Sequence, residues 1–185
     1  NWREMSPYLT VLMQNTKTAK VGACVTNPVS RNPTVVASLH AALQELSGGR
    51  MILGLGRGDS ALRRLGEQPA RLKEFKETAQ LIHRLANGEE VAYSAMQPSD
   101  EDWYIQGTET VALSLEWAPP ARIPLYIAGY GPKVLHWAGQ VADGVFLQIA
   151  EPATVEWHIG FIRAGALEAG RKIDEIDIVV CTPSW

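Results

Sequence analysis

The sequence contains only two cysteines, Cys24 and Cys181, among 185 residues, and both stand in apolar runs. That scarcity argues against a scaffold held by disulfides and for a reducing, cytoplasmic setting. There is no leader-like opening and no apolar run of the length a membrane span needs. Nor is there a surplus of positive charge: the formal net charge is -3 at pH 7. Nucleic acid, which wants a basic face, is therefore not an expected partner. A phosphorylated small molecule stays open, because backbone amides and one or two cations are enough to hold it. No spacing of histidines, cysteines and carboxylates matches a metal site. The four histidines, His40, His83, His136 and His158, all fall in helical patterns, where a structural role is expected. No repeat or low-complexity tract occurs.

The composition that remains, 46% hydrophobic and 20% charged, is that of an ordinary globular chain, most simply one domain over residues 1–185. It opens on Asn1 rather than a methionine and stops at Trp185 just after a strand-like run, which reads as a piece of a longer protein.

Short apolar runs alternate with amphipathic ones. "KVGACV" reads as a strand buried on both faces, because it shows little polar alternation. "NPTVVASLHAALQELSGG" reads as a helix capped by Asn32, with Pro33 in its first turn and Gly48 or Gly49 at its end. Its apolar face is expected to carry Val35, Val36, Leu39, Leu43 and Leu46. "RMILGLG" is a second strand. "PARLKEFKETAQLIHRLANGE" is a helix with Leu72, Phe75, Ala79, Ile82 and Leu85 inward. "IPLYIAG", "GVFLQ" and "IDIVVC" are three further strands, with "PKVLHWAGQVA" and "PATVEWHIGFIRAGALEAG" as helices between them. Residues 91–120 break the rhythm and read as a long polar loop over the site, with a short hairpin near residues 103–105. Strands alternating with helices imply an α/β fold and a parallel sheet of about five strands. Periodicity leaves open whether the sheet is a doubly wound layer or the middle of a (β/α)8 barrel. Both architectures place ligands at the carboxyl ends of the strands.

Four segments follow strands: "CVTNP", "GRGDS", "AGYGPK" and "LQIAEP". "GLGRGDS" lacks the Gly-x-Gly-x-x-Gly spacing of a dinucleotide loop and the Gly-Lys-Ser/Thr ending of a P-loop. Its glycines either let strand and loop pack closely, with Asp59 or Ser60 capping a short helix, or bring the backbone against a ligand. "AGYGPKVL" has a clearer logic. Gly129 and Gly131 free the backbone, Pro132 opens a helix whose N–H groups suit an anion, and Lys133 either adds a cation or is simply solvated. Cys24 reads as a small hydrophobe at a strand end, with Thr26 and Asn27 after it as hydrogen-bonding groups.

Three motifs in this order, "VTNP…R.P", "SGGR…LG.G.GD" and "GPK…A…ADGV", resemble the bacterial luciferase-like superfamily. Within it they are most similar to the branch of methylene-tetrahydromethanopterin reductase and related enzymes that use the deazaflavin coenzyme F420. The resemblance runs from about residue 20 to about residue 148. It implies a TIM-type barrel, here represented by its central part, with a deazaflavin or isoalloxazine ring in the carboxyl-end mouth. It implies a non-proline cis peptide at Cys24–Val25 against the ring and cofactor contacts from Asn27, Arg57 and Gly58. It places Asp59 at the substrate or at the reactive ring edge. It assigns the phosphate-bearing tail of the cofactor to Tyr130, Gly131, Lys133 and Val134. The strands that open and close a full barrel are absent from the sequence, and so are the acidic and histidine residues that follow the second of them in the family.

The resulting expectation is an oxidoreductase that uses reduced F420 for hydride transfer with a small organic substrate. FMN-dependent monooxygenation is the alternative within the superfamily, and a non-catalytic, dimeric flavin-binding paralogue is the alternative outside catalysis. "VTNP" and "GPK" favour F420 over FMN. A homodimer without membrane or nucleic-acid partners completes the expectation.

Overall fold

The five apolar runs form one parallel sheet. The computed structural model describes residues 4–92 and 112–181. In chain order it contains α1 (Met5–Asn15), β1 (Val21–Gly22), α2 (Pro33–Ser47), β2 (Met51–Leu55), α3 (Asp59–Leu65) and α4 (Leu72–Ala86). These are followed by β3 (Val91–Ala92), β4 (Ala112–Leu113), β5 (Leu125–Ala128), α5 (Pro132–Val141), β6 (Gly144–Leu147), α6 (Pro152–Glu168), a single 3-10 turn (Ile173–Glu175) and β7 (Asp177–Val180). The sheet order is β1-β2-β5-β6-β7, with every neighbouring pair parallel. Parallel neighbours need crossovers, and the intervening helices supply them.

The sheet is curved. β1 and β7 lie four interstrand steps apart in the order, which is about 19 Å along a flat sheet. Yet Sγ of Cys24, just past β1, is 3.8 Å from Sγ of Cys181, just past β7. Only a sheet curled toward closure brings its two outer strands together in this way, so the five strands make a half-barrel with flanking helices.

β2, β5 and β6 form the buried centre, with Leu53, Leu55, Ile127, Val145 and Leu147 all fully enclosed. The expectation of two-sided burial fails at β1. This strand is at the sheet edge, its Val21 is buried and its Gly22 is exposed, and its ladder resumes only at the bridge between Thr26 and Leu55. The amino ends of the strands are tied by side chains. Asp143 accepts from the Leu125 amide at 2.7 Å and from Arg122 Nη1 at 2.8 Å, and the Tyr126 hydroxyl donates to the Asp177 carboxylate.

α4 buries the predicted face, including Phe75, Ala79, Ile82 and Leu85. α2 does not. Val35 and Leu46 are exposed, and the buried face is Val36, Ala37, His40, Ala41, Leu43, Gln44 and Ser47. The polar members of that face are accommodated by local hydrogen bonds. Gln44 Nε2 donates to the Ala121 carbonyl at 2.9 Å, Gln44 Oε1 accepts from the Met51 amide at 2.8 Å, and Ser47 Oγ donates to the Gln44 carbonyl at 3.1 Å. An apolar-only reading of the helix therefore mistakes its phase. β3 and β4 pair antiparallel, with Val91 opposite Leu113 and Ala92 opposite Ala112. Residues 93–111 of the expected long loop, with the hairpin near residues 103–105, lie outside the described residues.

Candidate functional site

The carboxyl end of β1 is held against β2. The Thr26 amide donates to the Gly54 carbonyl at 3.0 Å and the Gly56 amide to the Thr26 carbonyl at 2.9 Å. Just before Thr26, the Cys24–Val25 peptide is cis. Asn27 is buried, and its Oδ1 accepts from the Val29 and Ser30 amides at 3.0 and 2.9 Å, which folds the chain into a turn directly after the strand.

The glycines of "GLGRGDS" serve this packing. A Cβ on Gly54 would lie 2.0 Å from the Ala23 carbonyl oxygen, and one on Gly56 would lie 2.7 Å from Val25 Cγ2. Gly58 has φ +88°, and its Cβ would press on Leu62 at 2.8 Å and on Asn27 at 3.1 Å. Side chains here would force the first two strand ends apart. Gly58 is also the N-cap of α3, so neither Asp59 nor Ser60 fills that position. Asp59 is instead the first residue of the helix and is exposed at the strand ends, where the amino-terminal dipole favours a carboxylate. Arg57 is tied back to the following loop: its Nε donates to the Ala70 carbonyl at 2.7 Å, and its own carbonyl accepts from the Ala70 amide at 3.2 Å.

At the end of β5 the environment is different. Gly129 makes room for Val134, whose Cγ1 would lie 2.5 Å from an added Cβ, and Val134 is buried by this contact. Gly131 has open space around its Cβ position. It is the N-cap of α5, with no side-chain cap hydrogen bond and Pro132 after it. Glu4 on α1, Asn32 on α2 and Glu151 on α6 cap their helices with side chains, while the N-caps of α3 and α4, Gly58 and Arg71, make no side-chain cap bond. Lys133 is exposed in the first turn of α5 and lines a cleft of about 350 Å³ with Leu72, Lys76, Pro132, His136 and Phe161.

Several groups converge at the mouth. The Tyr130 hydroxyl donates to Gln148 Oε1. Burial holds the Tyr130 phenol above its usual range, reinforced by the nearby Asp59, Cys24 and Cys181. Burial and the neighbouring Cys181 push the Cys24 thiol up to about 11. Asp59, Tyr130 and Cys24, expected from the sequence, thus meet at one place. Arg57 and Val134 are engaged in packing beside it, and Lys133 faces the helical side. Gln148 and Cys181 were not singled out from the sequence, although each directly follows a strand. The rule that ligands bind at strand ends was the available signal. The histidines lie away from this mouth: His83 Nε2 is 2.9 Å from the Ile123 carbonyl and His136 Nε2 is 3.0 Å from Glu168. No group of three or more metal-ligating side chains occurs among the described residues.

The model of the luciferase-like monooxygenase family matches residues 1–183. The chain belongs to that family. It is 38% identical over 182 residues to a 5,10-methylenetetrahydromethanopterin reductase of Methanolobus tindarius, covering 96% of this chain and 52% of the relative. It is 30% identical over 182 residues to an F420-dependent glucose-6-phosphate dehydrogenase of Nakamurella multipartita, covering 94% of this chain and 51% of the relative. Among solved structures, the coenzyme F420 dependent tetrahydromethanopterin reductase of Methanopyrus kandleri superposes with a TM-score of 0.75 at 28% identity, over 96% of this chain and 54% of that one. The chain spans about half the length of the curated relatives it matches. The half-barrel is accordingly the counterpart of part of a TIM-type barrel.

Proposed function

We propose that this chain carries the F420 site of an oxidoreductase that exchanges a hydride with a small organic substrate. The observation that carries the reading is the open amino terminus of α5. Its N-cap is a glycine without a side-chain cap, at the end of a central strand; Gly58 of α3 is likewise uncapped but is hemmed in by Leu62 and Asn27, whereas the space around Gly131 is open. Backbone N–H groups so arranged, with Lys133 in the first turn, fit the phosphate-bearing tail of a deazaflavin. The open space at Gly131 admits that group.

When bound, reduced F420 supplies the hydride. The chain's residues bind and orient. Asn27 fixes the turn beside Val25, and Gly58 keeps that turn against the start of α3. Cys24 and Val25 form the floor for the ring. Arg57 holds the loop that follows, through Ala70. Tyr130 and Gln148 orient each other above the strand ends, and Asp59 presents a carboxylate to the substrate side. Tyr130 and Gly131 would receive the tail, with Val134 packed against Gly129, and Lys133, which lines the cleft on the helical side of the same helix end, would add positive charge there. The relatives named for F420 support the deazaflavin over FMN, and the family description supports FMN-dependent monooxygenation as the second reading.

The same reading includes a cytoplasmic homodimer. Tyr8, Val11 and Leu12 form an exposed apolar strip on α1 that suits a subunit contact. Among the described residues, no helix is long and apolar enough to cross a membrane.

Backbone-amide NMR during titration with oxidised F420 tests the site. The amides of Asn27, Gly58, Gly131 and Lys133 are expected to shift together and saturably. Amides at these positions that stay unmoved while others shift would overturn the assignment.

A further inference from the structure

Cys24 and Cys181 come from the two outer strands of the half-barrel, and the hydride transfer proposed above makes no chemical use of either sulfur. Their Sγ atoms are 3.8 Å apart. A disulfide needs about 2.05 Å, so the sulfurs must approach by about 1.8 Å, which side-chain rotation can supply. Cys24 is exposed and Cys181 is half-buried, so a small oxidant in water reaches the pair. Both sulfurs also act on Tyr130 together with Asp59, which puts the pair inside the mouth.

We propose that Cys24 and Cys181 form a reversible oxidation site, at which a small peroxide converts the two thiols into a disulfide that ties β1 to β7 and closes the mouth to the cofactor. The disulfide rests on the geometry of the two sulfurs. Closure against F420 rests on the cofactor reading above.

The chemistry balances with peroxide as the oxidant. The Cys181 thiolate attacks one peroxide oxygen, the O–O bond breaks, and a sulfenic acid and hydroxide result. The Cys24 sulfur then attacks the sulfenic sulfur. An S–S bond forms, the S–O bond breaks, and water leaves. The two thiols have lost two electrons and two protons in total, and the peroxide has become two waters. The Cys24 thiol, raised to about 11, is protonated at neutral pH, so it gives up its proton to the departing hydroxide as it attacks, and the second, resolving step is the slower of the two. A thiol reductant reverses the reaction.

The test uses the full chain and hydrogen peroxide. Titration of free thiols, intact mass and peptide mapping without reductant are the readouts. The expected result is loss of both thiols, a mass lower by two hydrogens, a linked pair of peptides holding Cys24 and Cys181, and recovery with dithiothreitol. Persistence of both thiols, conversion to sulfinic acids, or bridges only between chains would overturn the proposal. A fluorescence titration with F420 on reduced and oxidised samples then tests closure. The oxidised form is expected to bind at least about tenfold more weakly, and Cys181→Ser is expected to show no difference between peroxide-treated and untreated samples. Equal affinities of the reduced and oxidised wild type would overturn closure while the mapped disulfide stands. Failure of the reduced form to bind F420 would count against the cofactor reading, with the thiol titration still deciding the disulfide.

Discussion

His40 is fully buried on α2, its Nδ1 2.7 Å from the Val36 carbonyl and its Nε2 without a partner. The Nδ1–H tautomer satisfies that carbonyl and leaves no room for a charge. Burial lowers its pKa from 6.5 to about 4, against the smaller opposing effect of the Val36 hydrogen bond. The unfolded chain therefore binds the proton more tightly than the folded one. The stability from this group is complete above pH 6.5 and is lost as the pH falls toward 4. The loss amounts to about 3 kcal/mol by the lower value. Urea unfolding at a series of pH values should show wild type losing that much more than His40→Leu, and parallel slopes would refute the linkage. Two glycines separate packing from binding at the same scale. Gly58→Val should cost about 2 kcal/mol or more, because φ is +88° and the new side chain meets Leu62 and Asn27. Gly131→Ala, with open space around it, should leave the unfolding free energy within about 0.5 kcal/mol of wild type while weakening F420 binding. An unfolding penalty at Gly131 matching that at Gly58 would mean that its glycine serves the fold.

α5 and α6 touch backbone to backbone. A Cβ on Gly139 would lie 2.1 Å from the Ile162 carbonyl oxygen, and one on Gly165 would lie 1.8 Å from that of His136. This contact fixes α5, which carries the proposed anion site at its amino end, against α6. Gly165→Ala is expected to destabilise by at least about 2 kcal/mol. Gly160→Ala, in the same helix with nothing within 4 Å, should stabilise by about 0.5–1 kcal/mol. Thermal unfolding of the two variants in parallel checks the pair, and similar effects would contradict the close approach. Elements with a strong local pattern could be read from the sequence: α4 has its apolar residues at helical spacing, and β2, β5 and β6 are short apolar runs between turns. α1, over "MSPYLTVLMQN", carries a weak hydropathy pattern, since only Leu9 and Met13 of its residues are buried. The phase of α2 was misread because His40, Gln44 and Ser47 take inward positions through hydrogen bonds that hydropathy does not register.

In the whole molecule, curvature decides what meets. Local pattern placed Asp59, Tyr130 and Cys24 at strand ends, and the strand-end rule brought them to one face. It could not show that β1 and β7 converge, so the approach of Cys181 to Cys24 depends on the curl of the sheet, which no local spacing encodes. Gln148 is the intermediate case, visible as the residue after β6 and given meaning only by Tyr130 across from it. The family match and the half-barrel agree on part of a TIM-type barrel, an architecture whose ligands bind at the carboxyl ends of the strands. The central claim is that this face holds a deazaflavin. The most direct measurement is a side-by-side fluorescence titration of the reduced, purified chain with F420 and with FMN. Saturable binding of F420 in the micromolar range is expected, with FMN binding at least about tenfold weaker. Preference for FMN, or no binding of F420 by a chain shown to be folded, would contradict it.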